Sequence, residues 1–378
     1  MRAMNTSHPL RLALIACVVA QLGGCAFITG WLQDKRDEKP GIQMQALKAE
    51  AGSRVELFAS GMPKARHMAI GAKGTLFVGS MAGNVYALTL QDGRVASQAT
   101  ILTGLTDPSG VAFADGALFV ANRQNVLRFD DIENRLANPP EGKPVLTGLP
   151  DKARHDAHAM RVGRDNKLYV SVGAPCDTCE ALNDEYGTVV RVGLDGSARE
   201  VFARGIRNTV GLDFHPQTQQ LWFTDNGQDG LGLDRPNDEL NRVTRAGEHF
   251  GFPYCHDTNI ADPKFGKLRA CSEFTAPAFG LGAHVAALGM RFVEDGPAGG
   301  VSAIVARHGS HPPERVGYDV VRIGFNNGLP VRSTPYLTGF LQGKQYWGRP
   351  VDVLQLNDGS VLISDDLNGA IYKVSRNR

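Results

Sequence analysis

Asn166-Lys-Leu-Tyr-Val-Ser171 is a short apolar run entered from a polar turn, and the chain repeats it: Gly74-Thr-Leu-Phe-Val-Gly79, Gly116-Ala-Leu-Phe-Val-Ala121, Gln220-Leu-Trp-Phe-Thr224, Ser302-Ala-Ile-Val-Ala306 and Gly359-Ser-Val-Leu-Ile-Ser364. Runs of this length, rich in β-branched and aromatic residues and bounded by glycine or polar turns, read as strands. Most are followed by a second strand, as in Gly83-Asn-Val-Tyr-Ala-Leu88, Gly187-Thr-Val-Val-Arg-Val192, Gly317-Tyr-Asp-Val-Val-Arg322 and Gly369-Ala-Ile-Tyr-Lys-Val374. The starts lie roughly 40 to 60 residues apart, with a longer gap between the fourth and fifth, and strand-only repeats of that size are the mark of a propeller. The expected fold is all-β: a six-bladed β-propeller with four-stranded antiparallel blades. The long gap predicts an insertion at about residues 247–287, and a long loop of that kind on one face of a disc shapes a binding site.

Composition agrees. The 378 residues include 44 glycines and 20 prolines, with 42% hydrophobic and 21% charged residues. Glycine and proline supply the φ angles of tight turns, so a surplus along the whole chain suits many short strands. At the amino end, Arg2 and Arg11 precede the apolar run Leu12–Ala20, too short to span a bilayer, and Leu22-Gly-Gly-Cys25 resembles a bacterial lipobox. Residues 1–24 are therefore expected to be a removed lipoprotein signal peptide, with Cys25 acylated as the membrane anchor. Residues 25–52, carrying Asp34-Lys-Arg-Asp-Glu-Lys-Pro40, read as a tether and residues 53–378 as the folded domain. The expected location is the cell envelope, on the periplasmic side of a bacterial membrane, with Ala26 after the cysteine resembling outer-membrane sorting. Without the signal the chain holds 38 basic against 39 acidic residues. No basic stripe remains to neutralise phosphates, so nucleic acid is not an implied partner.

Removing Cys17 with the signal and acylating Cys25 leaves Cys176, Cys179, Cys255 and Cys271. In an oxidising compartment an even set suggests disulfides, and the simplest pairing is local, Cys176–Cys179 and Cys255–Cys271. A tetrahedral zinc site built from all four thiolates is the rival. Cys176-Asp-Thr-Cys179-Glu180 lacks the histidine needed for covalent haem attachment.

Propeller loops from several blades gather round one depression, so functional residues are scattered in sequence but placed at equivalent strand ends. Arg154-His155-Asp-Ala-His158 precedes the third blade's strand, and a histidine there suits a general base, with a surface turn as the ordinary alternative. Arg207-Asn208 offers a guanidinium for carboxylates or a developing oxyanion and an amide beside it. Asp225-Asn-Gly-Gln-Asp229, with Asp234 and Asp238 downstream, is oxygen-rich and glycine-containing, a composition that suits calcium without matching the EF-hand spacing. Arg307-His308 and Arg349 are cationic positions at matching loops.

Together these stretches resemble the glucose/sorbosone dehydrogenase family, soluble sugar dehydrogenases that use pyrroloquinoline quinone (PQQ). The likeness runs from about Val55 to Val374, through Val162-Gly-Arg-Asp-Asn-Lys-Leu-Tyr-Val-Ser-Val-Gly173, Arg204-Gly-Ile-Arg-Asn-Thr-Val-Gly-Leu-Asp-Phe214 and Thr224-Asp-Asn-Gly-Gln228. The Cys-x-x-Cys element, Tyr254-Cys-His256 and Leu281-Gly-Ala-His-Val-Ala-Ala-Leu-Gly289 are closer to its sorbosone dehydrogenase-like branch. The resemblance implies oxidation of an aldose or sugar aldehyde with PQQ and Ca²⁺ as cofactors. His155 would be the base and Arg207 would stabilise the reduced quinone oxygen. Asn208 and Asn226 would bond the cofactor, Gly227 and Gln228 would offer main-chain carbonyls to Ca²⁺, and Arg349 and Arg307 would neutralise the PQQ carboxylates. Asn226 stands where the glucose enzymes have glutamine, Gln228 where they have proline and Val351 where they have a second arginine. His158 competes with His155 for the base role. Two other readings share the blade pattern: a binding propeller without redox chemistry, and a calcium-dependent lactonase-like hydrolase. The sugar and the electron acceptor are not named by any residue.

Overall fold

The computed structural model describes residues 33–150, 154–181, 183–295, 300–311 and 315–377. Every one of the six quoted runs is the second strand of a blade. Blade one runs Ala65–Ile70, Leu76–Ser80, Asn84–Gln91 and Arg94–Leu102, and blade two runs Val111–Ala114, Ala117–Asn122, Asn125–Phe129 and Lys143–Leu146. Blade three is Met160–Val162, Lys167–Val172, Thr188–Gly193 and Glu200–Arg204; blade four is Gly211–Phe214, Leu221–Asp225, Asn237–Arg242 and Phe279–Ala283. Blade five is Ala287–Glu294, Val301–Arg307, Asp319–Asn326 and Leu329–Thr338. Blade six takes Pro350–Gln355, Val361–Asp365 and Ala370–Arg376 from the end of the chain and its outer strand, Ser53–Ala59, from the start. That pairing closes the ring and leaves no free sheet edge between first and last blades.

Packing explains why the quoted runs are apolar on consecutive residues. Leu76 and Val78 join a cluster with Leu354 and Leu362 of blade six, whereas Phe77 between them packs with Val111 and Leu118 of blade two. Each blade is sandwiched, so both faces of its second strand must be apolar, which strict alternation would not achieve. The same holds round the ring, with one buried apolar cluster at each of the six blade boundaries. At ~25 cal/mol per Å² of apolar surface removed from water, this repeated burial supplies most of the stabilisation. Polar groups lash the inner strands as well: Asp352 accepts from Met68 N at 2.8 Å, and Asp213 accepts from Phe292 N at 2.9 Å while pairing with Arg161 at 3.1 Å.

Two boundaries differ from the sequence reading. The insertion comprises residues 243–278, because Phe279–Ala283 is the outer strand of blade four. Within it, Glu248–His249 pairs in parallel with Ala203–Arg204, adding a short fifth strand to blade three. Residues 33–52 are not free chain. Arg315 pairs with Asp34 at 2.9 Å and Asp37 at 3.0 Å, Lys39 N bonds Tyr346 O, and Lys48–Ala49 adds a strand to blade five. The acidic residues Asp34, Asp37 and Glu38 of the expected tether are partners for the disc. The signal and the anchor residue Cys25 lie outside the described residues, and among those described no helix is long and apolar enough to cross a membrane.

Candidate active site

In every blade the end of the second strand lies beside the start of the first, as Asp365 opposite Pro350 and Ser80 opposite Ala65 show. The loops that leave those ends share one face, and His155, Arg207-Asn208, Asn226-Gly227-Gln228, His308 and Arg349 all lie on it.

His155 sits before the inner strand of blade three, where the fold leaves room for it: a Cβ on Gly173 would run into the His155 backbone. Its Nδ1 lies 3.1 Å from Ala174 O. A carbonyl only accepts, so Nδ1 carries the proton and Nε2 keeps a lone pair, with no protein partner among the described residues. Burial first, then the neighbouring Arg207 charge, pushes its pKa down to about 4. At neutral pH the ring is therefore uncharged and able to accept a proton. We expect kcat/KM of the holoenzyme to rise with pH through about 4 and to be level from roughly pH 5 to 7, measured across overlapping buffers. An acidic limb centred near the ordinary histidine value would contradict this placement. His158, the competitor, is buried with Nδ1 2.6 Å from Ser171 O and Nε2 2.7 Å from Arg123 O. With each nitrogen against a carbonyl, it braces blades two and three, and neither nitrogen is free for a substrate.

Arg207 and Asn208 are pinned from below by Asp225, the last residue of the second strand of blade four. Its carboxylate accepts from Arg207 N at 2.9 Å and Asn208 N at 2.6 Å. Burial pushes the Asp225 carboxyl up. The Arg207 guanidinium donates to Asp177 O at 2.9 Å, to the Asp177 carboxylate and to Asn226 O at 3.2 Å. Asp177 belongs to the Cys176–Cys179 loop and was not singled out in the sequence. Asn208 Nδ2 donates to Asn226 Oδ1 at 3.1 Å, and Asn226 Nδ2 donates to Ala287 O at 2.6 Å, so this polar chain ties blade four to blade five. Asp238 completes the tie, accepting from Gly227 N at 2.8 Å and Ala287 N at 2.9 Å.

Gly227 and Gln228 follow with main-chain carbonyls that receive no hydrogen bond among the described residues, and Gln228 Oε1 is buried without a partner. Farther round, Arg349 donates to His308 O at 3.3 Å and Gly309 O at 3.2 Å. Its guanidinium carbon lies 5.9 Å from the ring centre of Tyr318 and 5.7 Å from that of Tyr346. Among the described residues no carboxylate lies within ion-pair distance of Arg349. Arg307 differs: its guanidinium holds Asp319 through two bonds of 2.7 and 2.6 Å and also bonds Leu281 O. Those donors brace blades four and five and leave less of the guanidinium for a ligand than Arg349 keeps.

Arg66, at the start of the inner strand of blade one, also lies on this face and was not singled out in the sequence. It pairs with Asp366 at 2.8 Å, keeps a buried Nε without a partner, and shares Asp366 with His308 at 2.9 Å. A repeat signal was available. Thr224-Asp-Asn226 in blade four and Ser364-Asp-Asp366 in blade six end equivalent strands, and Asp365 accepts from Arg349 N at 2.9 Å much as Asp225 holds Arg207. The four remaining cysteines form Cys176–Cys179 and Cys255–Cys271, which disposes of the zinc reading.

The fold and this face define a six-bladed propeller whose loops converge on one polar, histidine-bearing mouth. Comparison narrows it further: the TrAA12-like family profile matches residues 47–377, and the chain belongs to that family. An uncharacterized protein of Borreliella burgdorferi is 30% identical over 347 residues, 87% of this chain and 90% of that one. A pyrroloquinoline quinone-dependent sugar dehydrogenase of Hypocrea jecorina is 23% identical over 374 residues, 84% of this chain and 83% of that one. Among solved structures, the calcium structure of the Trichoderma reesei carbohydrate-active enzyme of family AA12 superposes with a TM-score of 0.77 at 21% identity, covering 89% of this chain and 98% of that one.

Proposed function

We propose that the protein is a PQQ- and Ca²⁺-dependent dehydrogenase that oxidises an aldose or a sorbosone-like sugar aldehyde in the cell envelope, held there through acylated Cys25. The observation that carries the reading is the neutral His155, with Nε2 turned away from its one carbonyl partner on the face that also bears Arg207 and Arg349.

The residues fit the cofactors. Calcium accepts carbonyl oxygens as readily as carboxylates, and the orphaned Gln228 Oε1 beside the unbonded carbonyls of Gly227 and Gln228 is such a donor set. Among the described residues no cluster of three acidic, histidine or cysteine side chains offers a metal cage of its own, so carbonyls and ligand oxygens would have to serve. A quinone with three carboxylates needs fixed cations, and Arg349 and Arg66 are available, each with guanidinium N–H groups that meet no acceptor among the described residues. PQQ, when bound, supplies a two-electron acceptor whose carbonyl a calcium ion makes more electrophilic. The chain does the rest. His155 Nε2 takes the proton from the sugar hydroxyl, Ala174 O holds the ring in the tautomer that permits it, and Arg207, positioned by Asp225 and Asp177, stabilises negative charge as it grows.

Purified apoprotein is expected to reduce a redox dye at the expense of aldoses only when PQQ and Ca²⁺ are added together. Dye reduction without PQQ, or lactone hydrolysis in its place, would overturn the assignment.

A further inference from the structure

Both disulfides border a cleft that the oxidation step does not use. A cavity of about 460 Å³, within the range that holds small ligands, runs across the top of blade three and is lined by Ala174, Asn183, Asp184, Arg204, His249, Tyr254 and Arg269 among others. It abuts the His155 site, because Ala174 is both its inner wall and the acceptor for His155 Nδ1.

One side of the cleft is a fixed aromatic platform. Tyr254 stacks on Phe274 with ring centres 5.8 Å apart and planes within 10°, Arg269 lies 5.5 Å and 4.4 Å from their ring centres, and His249 lies 4.6 Å from Phe274. Cys255–Cys271 staples the segment bearing Tyr254 to the one bearing Arg269 and Phe274. The rest of the rim is polar. Glu180, beside the Cys176–Cys179 staple, accepts from Tyr254 Oη at 3.0 Å, and Asp184 is an exposed carboxylate with no partner among the described residues. An aromatic ring beside carboxylate, amide and guanidinium groups matches a pyranose, whose C–H face is apolar and whose rim is a ring of hydroxyls that donate and accept. Arg204 and Arg269 add donors for hydroxyl oxygens, and so polar a lining disfavours an apolar ligand.

We propose that this cleft is a second glycosyl subsite, which receives a pyranose unit joined to the sugar oxidised at His155, so that short oligosaccharides are better substrates than free monosaccharides. The proposal rests on the sugar-oxidising reading above. Stapling both walls lowers the ordering cost of binding there.

In the holoenzyme, Tyr254→Ala is expected to lower the ratio of kcat/KM for a trisaccharide to that for its monosaccharide about tenfold, the low end of what one pocket contact contributes. Asp184→Ala, on an exposed and unpaired carboxylate, should shift the same ratio in the same direction, severalfold, and guards against a folding defect in the first variant. A ratio unchanged in both variants would overturn the proposal. Calorimetric titration of apoprotein with a trisaccharide whose reducing end has been converted to the alditol needs no turnover. Saturable heat that Tyr254→Ala removes supports the subsite, and identical isotherms for wild type and variant refute it. If no sugar is oxidised but the alditol still binds through Tyr254, the dehydrogenase reading fails and the subsite stands.

Discussion

His155→Ala is expected to cut kcat/KM for sugar oxidation by about a thousandfold, within the range that a positioned general base contributes. The side chain makes one hydrogen bond, to Ala174 O, and its Nε2 braces nothing. The variant should therefore fold, melt within a few degrees of the wild type and still quench on titration with PQQ. Removing a structural histidine would do the reverse. His158, with both ring nitrogens engaged, is the internal control, since its loss should lower stability before it lowers kcat. Steady-state kinetics on matched, PQQ-saturated samples decide between the two. Full activity in His155→Ala would remove the base from the mechanism and leave the mouth as a binding site.

Asp225→Ala should be the most damaging single change to the framework of the site. The carboxylate is buried and satisfies two backbone donors, Arg207 N and Asn208 N, that no water replaces without opening the loop. Leaving two buried N–H groups unpaired costs about 2 to 6 kcal/mol, counting ~1–3 kcal/mol for each. Urea denaturation measures that loss directly. Because Arg207 and Asn208 are the residues displaced, PQQ affinity should weaken together with stability. A variant of wild-type stability would mean that the carboxylate is not the anchor of this loop.

Strand signals were legible because each second strand is local and its apolar run survives any neighbour: Leu168, Tyr169 and Val170 would read as a strand in isolation. His155, Arg207, Asn208 and Asn226 were legible through motif order, and the local disulfides through spacing. The parts that escaped depend on partners far away in sequence. Arg66 reaches the site only because blade one abuts blade six, where Asp366 waits 300 positions later. Arg307 looked available because nothing near it in the chain announces that Asp319, on the neighbouring strand, will take the Nε–Nη2 edge of its guanidinium. Asp34 and Asp37 looked solvated for the same reason, their partner Arg315 lying in blade five. The insertion was overextended because Phe279-Gly-Leu-Gly-Ala283 carries two glycines and little strand character, and only pairing with Asn237–Leu240 makes it an outer strand.

The docking of residues 33–39 against Arg315 and Tyr346 sets where the polypeptide leaves the disc. Tyr346 neighbours Arg349, so the first described residues lie beside the mouth, whereas Asn377 follows Arg376 at the far end of a strand whose other end, Ala370, meets Asp365. The acyl group proposed at Cys25 would thus tether the disc by the side that carries the opening, where a membrane-borne electron carrier is within reach. A handle fused after Arg378 would instead fix the molecule to an electrode or bead with its opening turned outward to the bulk solution.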